Sequence, residues 1–294
     1  MPRIALIQHQ CDATPEHNLD KILSRLQQVA EQGAQIVLLQ ELHNSLYFCQ
    51  QEHPRYFDLA ETIPGPSTET LGKIAREHNM VIVSSLFEKR APGLYHNTAV
   101  VLDADGSIAG EYRKMHIPDD PGYYEKYYFT PGDLGFNPIQ TRYGKLGVLV
   151  CWDQWYPEAA RIMALKGADI LLYPTAIGYE PSDSDTEKQR QRQAWINIQL
   201  SHAIANNLPL ASCNRTGTES DAGNNINFWG SSFICDQQGD ILSQAEIAAE
   251  QILYADIDFK HTETVRRAWP YLRDRRIDAY NDLLKRYCDG AIED

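Results

Sequence analysis

The sequence predicts an α/β fold in which mixed sheets are covered by helices. Two observations carry this. Short β-rich runs alternate with amphipathic stretches, and two hairpins interrupt that alternation. No low-complexity linker divides the chain, so residues 1–294 read as one domain.

The elements follow in order. Residues 4–8 form a strand. Residues 15–32 form a helix with Leu19, Ile22, Leu23, Leu26, Val29 and Ala30 on one face, ended by Gly33. Residues 36–39 are a buried strand that stops at Gln40-Glu41. A helix over 67–78 opens with a Ser/Thr cap and Glu69, and a strand follows at 81–87. Residues 97–102 and 107–112 flank the turn Asp103-Ala104-Asp105-Gly106 as a hairpin, which runs into Arg113-Lys114-Met115-His116. The loop over 117–135 carries Pro/Gly breakers and a tyrosine cluster. It is long for a compact domain, and such loops are often functional. Strands at 145–150, 170–173 and 208–213 alternate with helices at 157–166 and 186–206. A second hairpin, 231–235 and 241–243 around Asp236-Gln237-Gln238-Gly239-Asp240, echoes the first. The echo is either repeated turn chemistry or the mark of two related halves, each giving strands to its own sheet. A last strand at 253–257 precedes a helical tail from residue 259, rich in Arg and Tyr.

Composition narrows the function. A formal charge of −13 argues against a nucleic-acid partner, whose binding rests on neutralising phosphates, and is compatible with a cationic ligand. The six cysteines form no C-x-x-C pair, and no His/Cys cluster has zinc spacing, so neither metal nor cofactor is expected. No stretch is apolar enough to span a bilayer and no signal peptide is visible, which makes a reduced cytosolic protein the expectation.

The segment Gly147-Val148-Leu149-Val150-Cys151-Trp152-Asp153-Gln154-Trp155-Tyr156-Pro157-Glu158 reads as strand, sharp bend, helix, with Cys151 at the bend. A thiol there projects into a cleft where backbone N–H groups converge, as a cysteine nucleophile with an oxyanion hole requires. Taken alone, a cysteine more often just fills space in a core. Two further strand ends carry charge. Glu41 sits at the mouth of the 36–39 strand, where a partly desolvated carboxylate suits a base. Lys114 ends the first hairpin, where an ammonium holds a developing oxyanion. A capping acid and a solvated lysine are the ordinary alternatives for each. Base, cation and nucleophile at three strand ends together describe acyl transfer from nitrogen. Cysteine–histidine catalysis would instead need one of His9, His43, His96, His116 or His202, and spacing singles out none.

The blocks Leu38-Leu39-Gln40-Glu41, Tyr112-Arg113-Lys114-Met115-His116-Ile117-Pro118 and Val150-Cys151-Trp152-Asp153 resemble, in order, the three catalytic blocks of the nitrilase (carbon–nitrogen hydrolase) superfamily. The resemblance runs from about residue 3 to about residue 280. It implies a four-layer α-β-β-α sandwich, assembly into dimers or larger homo-oligomers, and Glu–Lys–Cys catalysis through a thioester. One departure is Gln40, where many members have proline. The resemblance also implies that Glu125, in Tyr123-Tyr124-Glu125-Lys126, is a further catalytic acid that orients Lys114 or the attacking substrate. Tyr47-Phe48-Cys49-Gln50, His116-Ile117-Pro118-Asp119-Asp120-Pro121-Gly122-Tyr123, Tyr173-Pro174-Thr175-Ala176-Ile177-Gly178 and Arg273-Asp274-Arg275-Arg276 look like the N-carbamoylputrescine amidase subgroup.

That subgroup implies a cationic N-carbamoyl amine as substrate. Its apolar chain needs a narrow wall, which Tyr47, Tyr123, Trp152 and Trp155 can supply, and Thr175 stands in one of the resembling blocks. Its ammonium needs a buried carboxylate: Glu180 is the first choice and Asp119 or Asp120 the second. A solvated loop acid is the alternative for Glu180, and an oligomer interface is the alternative for the tyrosines. Rival readings are an amidase or β-ureidopropionase-like enzyme with a carboxylate-bearing substrate, a nitrilase proper, and a catalytically silent binding protein on the same fold.

Overall fold

The computed structural model describes residues 1–221 and 223–288. Its strands are β1 Arg3–Gln8, β2 Ile36–Leu39, β3 Val81–Ala91, β4 Leu94–Leu102, β5 Ile108–Arg113, β6 Ile139–Thr141, β7 Gly144–Val148, β8 Ile170–Pro174, β9 Gly178–Tyr179, β10 Leu210–Cys213, β11 Thr216–Asp221, β12 Asn224–Trp229, β13 Phe233–Cys235, β14 Ile241–Gln244 and β15 Gln251–Asp256. The helices are α1 Pro15–Glu31, α2 Pro66–His78, α3 Pro157–Leu165, α4 Asp185–Asn206 and α5 Phe259–Ala268.

Two six-stranded sheets share one layout. The first runs β15-β1-β2-β3-β4-β5 and the second, read from its far edge, β6-β7-β8-β10-β13-β14. Each has an antiparallel edge strand, three parallel strands, then an antiparallel hairpin. Each of the two expected hairpins therefore lies in its own sheet.

Strand alternation divides the first sheet between two cores. Ile4, Leu6, Ile36, Leu38, Val81, Val83, Ala99 and Val101 face the second sheet. Ala5, Ile7, Val37, Leu39, Ile82, Val100 and Leu102 pack under Ile22, Leu26 and Val29 of α1 and Leu71 and Ala75 of α2. On the far side, Ala159, Ala160 and Met163 of α3 and Trp195, Ile196 and Ala203 of α4 join the core of the second sheet. The layers are α-β-β-α, as the resemblance implied.

Three differences from expectation have physical reasons. The 81–87 strand continues to Ala91 and turns through Pro92-Gly93 into β4, with Gly93 at φ +75° supplying the turn. β11 and β12 pair as a hairpin and, with β9, form a small separate sheet from the segments that follow β8 and β10. Thr216–Asp221 carries no apolar side chain, and Asn224–Trp229 alternates only through Ile226 and Phe228 between asparagines, too short a run to announce a strand. The helical tail expected from residue 259 is helix only to Ala268; Pro270 follows, and two short 3-10 turns, Ile277–Ala279 and Asn281–Leu284, remain exposed. The last six residues of that tail lie outside the described residues. Among the described residues no helix is long and apolar enough to cross a membrane.

Candidate active site

The bend at Cys151 is a strained elbow. After β7 the chain continues as buried Leu149 and Val150, then enters a 3-10 turn, Cys151–Trp155, with Cys151 at φ +44°. An L-residue in that region is strained and persists only when its surroundings hold it. Asp153 holds it. Its Oδ2 accepts the Val150 N–H at 2.9 Å and the Tyr112 hydroxyl at 2.7 Å. Its Oδ1 accepts the His116 N–H at 3.1 Å and lies 2.7 Å from His116 Nδ1. His116 in turn stacks on Tyr156, centroids 3.7 Å apart. One buried carboxylate thus ties the cysteine elbow to both flanks of Lys114. In the sequence Asp153 is only part of a block; its signal, an acid two residues past the nucleophile, does not disclose its three partner residues.

Glu41, Lys114 and Glu125 meet behind the thiol, all fully buried. Lys114 Nζ donates to Glu41 Oε1 at 2.8 Å and to Glu125 Oε2 at 2.6 Å. Asn97 Nδ2 also donates to Glu41 Oε1, at 2.7 Å, and the Tyr47 hydroxyl donates to Glu125 Oε1 at 2.7 Å. Glu41 Oε2 has no partner among the described residues and is the free acceptor of the group. Burial disfavours the Lys114 ammonium, but the carboxylates of Glu125 and Glu41 more than offset this and hold it well above the usual lysine range. Burial lifts Glu125 to about 7 against the opposing pull of Lys114. Burial, then the charge of Glu41, pushes the Cys151 thiol well above its ordinary value, with Lys114 opposing. The resting thiol is protonated, so it needs a base to become a nucleophile. Its Sγ lies 3.7 Å from the Ala176 carbonyl, to which the thiol donates.

Cys151 opens into a cleft of about 880 Å³. Of the residues expected there, Glu125, Tyr123, Trp152, Trp155, Glu180 and Asp120 line it. Tyr123 is fixed by its hydroxyl, which accepts the Gly178 N–H at 2.9 Å. Four expectations are corrected. Tyr47 is fully buried and absent from the cleft wall because its hydroxyl is committed to Glu125. Thr175 is also buried off the wall: its hydroxyl donates to the Tyr173 carbonyl at 3.1 Å, and its own carbonyl accepts the Glu41 N–H at 3.3 Å, joining the ends of β8 and β2. Asp119 is exposed and does not line the cleft. Glu180 reaches the cleft as an exposed rim residue, held by Ser182 at 3.2 Å, rather than as a buried acid. The sequence reading did not name Asp183, Glu187 and Arg190, which share that rim from the β9–α4 connection and α4. Arg190 pairs with Glu187 at 2.6 Å.

Gln40, the departure noted in the sequence, is buried. Its Oε1 accepts the His9 N–H at 3.2 Å and its Nε2 meets Cys11 Sγ at 3.3 Å, so it anchors the strand end away from the chemistry. Among the described residues no group of three or more His, Cys, Asp or Glu side chains is placed to hold a metal ion.

Fold and site together define an α-β-β-α protein with a buried carboxylate–ammonium–thiol group at the floor of a cleft. The chain belongs to the carbon–nitrogen hydrolase family of the nitrilase superfamily, whose family model matches residues 3–267. It is 44% identical over 286 residues to a citrullinase from Francisella tularensis, covering 97% of this chain and 99% of that one. It is 42% identical to an N-carbamoylputrescine amidase from Solanum lycopersicum, covering 96% and 94%. A crystal structure of a carbon–nitrogen hydrolase from Helicobacter pylori G27 superposes with a TM-score of 0.95 at 54% identity, covering 98% and 99%. The chain is a hydrolase acting on non-peptide carbon–nitrogen bonds.

Proposed function

We propose that the protein hydrolyses N-carbamoylputrescine to putrescine, carbon dioxide and ammonia through a Cys151 thioester. Glu41 takes the thiol proton and Sγ attacks the carbamoyl carbon. Lys114 and the Trp152 N–H, at the open start of the 3-10 turn, hold the oxyanion. The proton passes from Glu41 to the leaving nitrogen and ammonia departs, which leaves the thiocarbamate of the amine on Cys151. Glu41 then takes a proton from water, whose oxygen attacks the same carbon, and returns that proton to the sulfur. The carbamic acid released loses carbon dioxide. Glu125 keeps Lys114 charged and aimed.

The observation that carries the substrate is the charge of the cleft rim. Asp120, Glu180, Asp183 and Glu187 stand there against Arg190, which is already paired with Glu187. Such a rim favours a substrate whose far end is an unaccompanied ammonium. The similarity to N-carbamoylputrescine amidases points the same way.

A second reading is L-citrulline, which carries the same carbamoyl head but adds an α-carboxylate. Arg190, the one cationic side chain among the described lining residues, favours it, as does the similarity to a citrullinase. Ammonia release from N-carbamoylputrescine, L-citrulline and N-carbamoyl-β-alanine, with Cys151→Ala alongside, separates the readings. We expect release chiefly from the first compound and none in the variant. Preferred turnover of citrulline would replace the substrate, and release that survives Cys151→Ala would remove the nucleophile.

A further inference from the structure

The segment that carries Glu41 has to turn sharply as β2 ends. Leu42 sits at φ +48°, and the carbonyls of Glu41, Leu42 and Ser45 face Arg215 rather than a strand neighbour. Arg215, fully buried just past β10, collects all three. Its Nη2 donates to the Glu41 carbonyl at 3.0 Å and to the Leu42 carbonyl at 2.8 Å; its Nη1 donates to the Ser45 carbonyl at 2.9 Å.

The charge is balanced by Glu219 on β11, whose Oε1 lies 2.6 Å from Arg215 Nη1. The other oxygen of Glu219 accepts the Tyr47 N–H at 2.6 Å. Tyr47 then delivers its hydroxyl to Glu125. Hydrogen bonds therefore run from one buried ion pair to the main chain of Glu41 and to the main chain of Tyr47, the residue that holds Glu125. One arm reaches Glu41 through its own carbonyl, and the other reaches Glu125 through Tyr47.

Stability does not demand such a pair, since a buried ion pair replaced by apolar side chains of similar size often leaves a protein equally or more stable. A planar guanidinium with five donors in a fixed fork does supply geometry, which an ammonium on a flexible stem does not. Arg215 also bridges the two six-stranded sheets through the Glu41 carbonyl. Arg215 leaves the end of a second-sheet strand, and Glu41 leaves the end of a first-sheet strand.

We propose that Arg215 and Glu219 are positioning residues that set the distance of Glu41 and Glu125 from Lys114, and so from Cys151. The proposal rests on the Glu41–Lys114–Cys151 chemistry given above.

The test compares Arg215→Lys, Glu219→Gln, Tyr47→Phe and the double variant Glu219→Gln/Tyr47→Phe. Each is assayed for ammonia release per folded protein and solved by crystallography. Arg215→Lys keeps the charge but not the fork, and is expected to lower kcat by ~10²-fold, the scale of a misplacement of about 1 Å, with KM within about 3-fold of wild type. Glu219→Gln can still serve one neighbour and is expected to lose ~10-fold in kcat. Because it acts partly through Tyr47, the double variant is expected to fall short of the product of the two single losses. The crystal structures are expected to show the Lys114–Glu41 or Lys114–Glu125 hydrogen bond broken.

The proposal is overturned if kcat per folded protein stays within about 3-fold of wild type in both single variants at the pair, or if the double variant is additive with the carboxylates unmoved. Should Arg215→Lys fail to fold, Glu219→Gln and its double variant decide. Wild-type protein that releases no ammonia from any of the three carbamoyl compounds would sink the functional reading instead. The crystallographic distances would still judge the clamp.

Discussion

The floor of the cleft and its rim are built by opposite rules. At the floor, Glu41, Lys114, Glu125 and Cys151 are buried and come from the ends of strands in both sheets or the loop after β5, and Lys114 holds Glu41 and Glu125 through hydrogen bonds of 2.8 and 2.6 Å. At the rim, Asp120 and Glu180 are exposed, and Asp183, Glu187 and Arg190 sit on a surface connection and one helix face. A charge at the floor feels a low dielectric and fixed partners, so each substitution is costly; a charge at the rim is screened by water and salt. The comparison assigns chemistry to the floor and substrate choice to the rim, and each region can be broken separately.

The largest effect belongs to the floor. Glu41→Gln removes the base with little change of shape and is expected to lower kcat by ~10²–10⁴-fold, with KM within a few-fold. Steady-state ammonia release checks this, and a variant that loses KM instead would move Glu41 to binding. Lys114→Met is expected to cost ~10²–10³-fold in kcat, the scale of a lost oxyanion donor. It also leaves two buried carboxylates facing each other, so a fall in stability of ~3–5 kcal/mol should accompany it in denaturant titration.

One layer out, Tyr47→Phe deletes a hydrogen bond to a carboxylate worth roughly 1.5–3 kcal/mol. If the transition state uses all of it, kcat falls by ~10–100-fold while the cleft wall is untouched. A change in KM alone would return Tyr47 to the wall, where sequence reading put it. At the rim the effects shrink. Glu180→Gln and Glu187→Gln are each expected to raise KM for N-carbamoylputrescine only ~2–5-fold, less at high salt, because an exposed ion pair contributes at most about 1 kcal/mol. An equal loss at high and low salt would contradict a screened rim.

The two regions also differ in their response to pH. Glu125 titrates near 7 in the folded protein, above its ordinary 4.5, because it is buried. Between those values the folded state binds the proton that the unfolded state has released, so stability falls as pH rises from about 4.5 to about 7. Glu125→Gln should flatten that part of the stability curve, read as the urea midpoint against pH; an unchanged curve would mean the carboxyl is not the group responsible. Rim variants should leave it alone.

The floor was largely legible in the sequence because its residues sit at the ends of apolar runs, where the position of a charge is itself a signal. Glu41, Lys114 and Cys151 each follow a strand read from its apolar residues, and the structure brings them together. Asp153 and Arg215 were not legible. Their work is to catch groups from segments far away in the chain, such as Arg215 with the Leu42 carbonyl and Asp153 with the His116 N–H, and no local pattern records such a partner. The small sheet of β9, β11 and β12 escaped because β9 has two residues, β11 has no apolar side chain and β12 alternates only through Ile226 and Phe228. The rim was legible only in Glu180 and Asp120. Asp183, Glu187 and Arg190 lie in or beside a charged helix N-terminus, where acids are common for capping alone.

The most direct test of the central claim is to catch the covalent intermediate. Wild-type protein mixed with excess N-carbamoylputrescine, quenched in acid within the first turnovers and digested, should yield the Cys151 peptide carrying the mass of the substrate less ammonia. That adduct would show attack by Cys151, loss of ammonia first, and retention of the amine on the enzyme. Turnover with no adduct on Cys151, or an adduct holding only the carbamoyl group, would contradict the account.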